Sequence, residues 1–79
     1  MSRARGRSRR AEIGEAAASV LRGCAPLPMS TSDLAAVLHL PPIDQNQYLL
    51  YELHRMRKRG QVEMIPIPGY VCRVWAWIP

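Results

Sequence analysis

Helix breakers set the limits on what this chain can fold into. Gly23, Pro26 and Pro28, then Pro41 and Pro42, then Gly60 divide it into short segments. Each segment before Gly60 carries apolar residues at the three-and-four spacing of a helix. After Gly60 the apolar period falls to that of a strand. The expected product is a small α+β fold: three helices followed by a two-stranded β-hairpin.

Helix 1 is expected from Arg9 to Gly23. Ile13, Ala16, Ala17, Val20 and Leu21, followed by Cys24, share its apolar face. Gly23 stands where a C-terminal cap belongs. "STSDLAAVLHL" starts helix 2, with Ser30 as the N-cap and Asp33 answering it three residues on. Leu34, Val37 and Leu38 would face inward there. Asp44 reads as the N-cap of helix 3, over residues 44–59. Its buried stripe is Leu49, Leu50, Leu53 and Met56. Tyr48, Tyr51, Glu52, Arg55, Lys58 and Arg59 are left facing out. "QVEMIPI" and "YVCRVWAWI" then predict the hairpin, with its tip around Pro66 to Gly69.

With 79 residues and 48 % apolar content, one small globular domain is expected, and no apolar run is long enough to span a bilayer. The net charge of +5 is unevenly placed. Arg3, Arg5, Arg7, Arg9 and Arg10 crowd the first ten residues, without an acid among them. Beyond them Arg22, Arg55, Arg57, Lys58, Arg59 and Arg73 are matched by Glu12, Glu15, Asp33, Asp44, Glu52 and Glu63. The division is therefore a flexible Arg-rich tail, residues 1–8, and a neutral domain, residues 9–79. Such a tail is attractive to polyanions.

Catalysis is not expected. His39 and His54 have no neighbouring nucleophile or paired acid, and there is no glycine-rich phosphate loop. No Cys/His spacing suits a metal, and no cofactor is implied. Cys24 and Cys72 read as reduced thiols of a cytoplasmic protein. "LRGC" has the outline of a lipoprotein cleavage site, but Glu12, Glu15 and Arg22 interrupt the apolar stretch that it would need.

"STSDLAAVLHL", a short turn, "YLLYELHRMRKRGQVEMI" and a last strand "RVWAWI" resemble the winged helix-turn-helix DNA-binding domains of bacterial and phage transcriptional regulators. The resemblance spans roughly residues 9–78. It implies double-stranded DNA as the partner, with helix 3 presented to the major groove. Gln45, Gln47 and Tyr48 would contact bases, since amides pair well with adenine. Tyr51, Arg55, Arg57, Lys58, Arg59 and Arg73 would contact phosphates, and the five arginines of the N-terminal arm would add to them. Asp44 departs from this pattern, because it puts an anion at the end of helix 3 that should meet the groove. That acid and the apolar last strand suit a rival reading, a winged-helix module that binds and modulates a larger protein complex. Trp75 and Trp77 share one face of the last strand. They either close the core of a chain without Phe or form an interface with a protein partner or a second copy.

Overall fold

The structure, a computed structural model, describes residues 8–69 and 73–79. Three helices lie over a three-stranded antiparallel sheet. Helix α1 spans Arg9–Cys24, strand β1 Met29–Ser30 and helix α2 Thr31–Val37. Helix α3 covers residues 42–58, strand β2 Val62–Pro66 and strand β3 Arg73–Trp77. Arg3, Arg5, Arg7 and Cys72 lie outside the described residues. No helix among those described is long and apolar enough to cross a membrane.

Local chemistry explains most helix ends. Ser8 caps α1, its Oγ accepting from the Ala11 N–H at 3.0 Å. Ser30 caps α2 in the same way, accepting from Asp33 N–H at 3.0 Å. Gly23 is not a cap: α1 runs through it to Cys24, and Ala25 is the capping residue. Helix α3 starts earlier than expected. Pro41 is its N-cap and Pro42 occupies the first turn, where a missing N–H costs nothing. Asp44 is therefore inside the helix. Over Gln45–Leu49 the ladder widens to π geometry, with Leu50 N–H bonding to the Gln45 carbonyl. Leu50–Lys58 then continues as ordinary α-helix.

Helices α2 and α3 end in the same motif. Gly60 has φ 77° and its N–H bonds to Arg57 O at 3.0 Å, while Gln61 N–H reaches Met56 O at 2.9 Å. His39 has φ 56°, with parallel bonds from His39 N–H to Ala36 O (3.2 Å) and Leu40 N–H to Ala35 O (2.9 Å). These are Schellman caps, and only one of them has the glycine that the left-handed position favours. Relieving that conformation is worth about 1–2 kcal/mol, against about 0.5–1 kcal/mol for the looser unfolded glycine chain. His39→Gly is accordingly expected to stabilise the protein by about 0.5 kcal/mol in urea unfolding.

Strands β2 and β3 pair antiparallel as expected, with Met64 opposite Trp75 and Val62 opposite Trp77. The sheet has a third strand beyond the expected hairpin. Met29 and Ser30 pair with Trp75 and Val74, giving the order β1-β3-β2. Trp75 thus lies between Met29 and Met64 on the inner face, fully buried. Its indole N–H donates to Thr31 Oγ1 at 2.9 Å, which satisfies its polar atom inside the core. Ile13, Ala17 and Leu21 of α1, Leu34 and Ala35 of α2, and Leu49, Leu53 and Met56 of α3 complete that core with Val62. Val37, expected inside, is 51 % exposed, because α2 ends there and the chain turns away.

Candidate nucleic-acid interface

The face of α3 opposite the core carries Gln47, Tyr51, His54 and Lys58, all exposed and separated by three or four residues. Asn46 and Arg57 flank this row and are also exposed. Tyr48 does not belong to it. It is half-buried and packs against the core, so the expected outward tyrosine is a packing residue instead. Leu50, expected in the buried stripe, is half-buried at its edge.

The two acids of α3 are handled by α1. Asp44 is only 7 % exposed. Arg9 donates to its Oδ2 through both Nε, at 2.9 Å, and Nη2. The hydrogen bond to Asp44, and secondarily its charge, raise the Arg9 pKa above the ordinary guanidinium value. Arg9 therefore stays charged at every working pH. Glu52, expected on the outward face, is likewise 7 % exposed. Its Oε2 is 3.2 Å from Arg10 Nε and accepts from Arg55 Nη1 at 3.2 Å. Arg10 Nε is within ion-pair range but not aligned for a hydrogen bond, which leaves it buried without one. Two guanidiniums against one buried carboxylate offset the cost of removing Glu52 from water. Arg10 also sits 4.5 Å from the centre of the Tyr51 ring. Arg9 and Arg10 are thus helical residues tied to α3, not members of a free arm.

Room for Glu52 comes from Gly14, on the buried side of α1. A Cβ there would come within 2.5 Å of Glu52 Oε1 and 3.0 Å of its Cγ and Cδ. Glycine inside a helix ordinarily costs about 0.5–1 kcal/mol relative to alanine. Gly14→Ala should still destabilise the protein by about 1 kcal/mol, because the carboxylate must leave its two arginines. In a Glu52→Ala background the same change should stabilise it by about 0.5 kcal/mol. A urea double-mutant cycle checks this, and equal signs in both backgrounds would contradict the packing described.

The basic run divides between two sides. Arg57 and Lys58 face solvent. Arg55 and Arg59 line a cleft against α1, with Arg22 and Trp77. Trp77 is half-buried and the Arg22 guanidinium lies 5.4 Å from its ring centre. On the opposite flank of α3 the fold brings together Gln45 and Arg73. They line a groove of about 440 Å³ with Ser30, Thr31, Ser32 and Trp75. His54 borders that side, its ring edge-on to Trp75 at 5.2 Å.

No known protein family matches the chain, and neither a curated protein nor a solved structure matches it significantly.

Proposed function

We propose that the protein is a winged-helix DNA-binding protein, a small transcriptional regulator that lays α3 in the major groove. The reading is carried by one observation: both acids of α3 are buried and countered by Arg9, Arg10 and Arg55. Asp44 was the sequence feature that argued most against DNA, and it offers no bare charge to a groove. What α3 presents outward is amide, phenol and cation, the groups that contact bases and phosphates.

In this reading Gln47 and Gln45 contact base edges, whereas Tyr51, Arg57 and Lys58 contact the phosphate backbone. Arg73, beside Gln45, grips the strand that flanks the groove, and the β2–β3 pair is the wing. Tyr48 packs internally and supports the helix. Arg3, Arg5 and Arg7 add charge from the tail. Arg57, Lys58 and Arg73 alone would make affinity fall about 40-fold when salt rises fourfold, and the tail arginines make the fall of the full chain steeper still. Fluorescence anisotropy with random duplex DNA, between 50 and 200 mM salt, checks this expectation. An absence of binding by the full chain at the lower salt would end the DNA reading.

A second reading, a module that docks on another protein, is favoured by the last strand. Ile78 is 44 % exposed next to the half-covered Trp77. Under it, Trp77→Ala weakens self-association or partner binding and leaves DNA aside.

A further inference from the structure

We propose that the cleft between α1 and the C-terminal half of α3 is a binding site for a small planar aromatic anion. The cleft has a volume of about 610 Å³, within the range of small-molecule sites. Gly14 and Ala18 of α1 are among its lining residues, and Glu52 fills the space over Gly14.

Its chemistry is uneven in a useful way. One wall is the half-buried Trp77 indole, with the Arg22 guanidinium near its ring. A flat aromatic group can stack there on the part of the ring that the guanidinium leaves uncovered. The other wall carries Arg55 and Arg59. Arg55 gives one donor atom to Glu52 and retains others, because a guanidinium has five N–H bonds. Arg59 makes no ion pair among the described residues. A carboxylate or phosphate would be held in bidentate fashion by that wall. Gln61, which also lines the cleft, supplies an amide for a polar ring edge. The cleft also contains Glu15 and Glu52. Glu52 is already countered by Arg10 and Arg55, so the local balance still favours an anion.

The site is separate from the outward row of α3, which allows a clean test. Adenosine monophosphate combines a ring and a phosphate and serves as the probe, without DNA present. Tryptophan emission reports the cleft, because Trp75 is fully buried and Trp77 is not. The expected result is saturable quenching of the full-length protein. Arg59→Ala and Arg22→Ala should each weaken binding at least tenfold, while an Arg57→Ala/Lys58→Ala variant binds as the parent does. Adenosine and inorganic phosphate, each lacking half of the ligand, should bind at least tenfold more weakly. Circular dichroism confirms that each variant is folded. Quenching that does not saturate would overturn the proposal, as would equal loss in the outward-face variant or unchanged binding by Arg59→Ala.

Discussion

The Arg57→Ala/Lys58→Ala variant is expected to lose about 10- to 100-fold in affinity for random duplex DNA at 50 mM salt, and its log–log salt slope should be shallower by about 1.8. Both side chains are exposed in the last turn of α3 and neither has an ion-pair partner among the described residues. Their charge is not consumed within the fold, so each can displace a counterion from DNA. Part of what they do is structural. Cations in a last helical turn contribute about 0.3–1 kcal/mol each through the helix dipole. The variant should therefore unfold at slightly lower urea and still be folded in the binding assay. Arg59→Ala is the contrast, since Arg59 faces the cleft with α1. Its slope should change by less than about half a unit under the same counterion argument. Equal slope changes for both variants would show that the two sides of the helix are not distinct.

Trp75→Ala should remove about 3–5 kcal/mol of stability, most of what a domain of this size has. Trp75 is fully buried and belongs to the middle strand, with β1 and β2 on its two sides. It touches α2 through Thr31 and α3 through His54. It is the largest of the fully buried side chains. Trp75→Phe separates the two contributions. It keeps much of the apolar area but leaves Thr31 Oγ1 without its donor, at a cost of about 1–2 kcal/mol. Thermal or urea unfolding of both variants measures the difference. A loss below about 1 kcal/mol for Trp75→Ala would contradict the central place given to this side chain.

The helices and the hairpin were legible because they announce themselves locally. Breakers at Pro26, Pro41 and Gly60 and one change of apolar period after Gly60 suffice for that. Strand β1 was not legible, since two residues have no period and its pairing depends on β3, far along the chain. The start of α3 was misplaced for a different reason. Asp44 has the right side chain for a cap, but Pro42 at the first position starts the helix sooner. The burial of Glu52 was the larger surprise. A helical wheel assigns a charged residue at the flank to solvent, and only the contact with α1 reverses that. A signal existed in Gly14, a glycine on the buried face of a helix, where an unfilled space asks for an occupant. The same tertiary pairing explains Arg9 and Arg10. Tail composition suggests a continuous basic arm, but Ser8 caps α1 and those two arginines turn back to Asp44 and Glu52.

The central claim is that α3, with its acids neutralised from within, anchors the protein on DNA. It is tested most directly with a chain that begins at Ser8. That chain keeps the α1 cap, Arg9 and Arg10 and loses Arg3, Arg5 and Arg7. Its affinity for random duplex DNA should still depend on salt, with a slope magnitude near 2.7 for three phosphate contacts, and Arg57→Ala/Lys58→Ala should reduce it to about 0.9. A folded chain of this length that shows no DNA binding at 50 mM salt would contradict the account, because all affinity would then come from the tail.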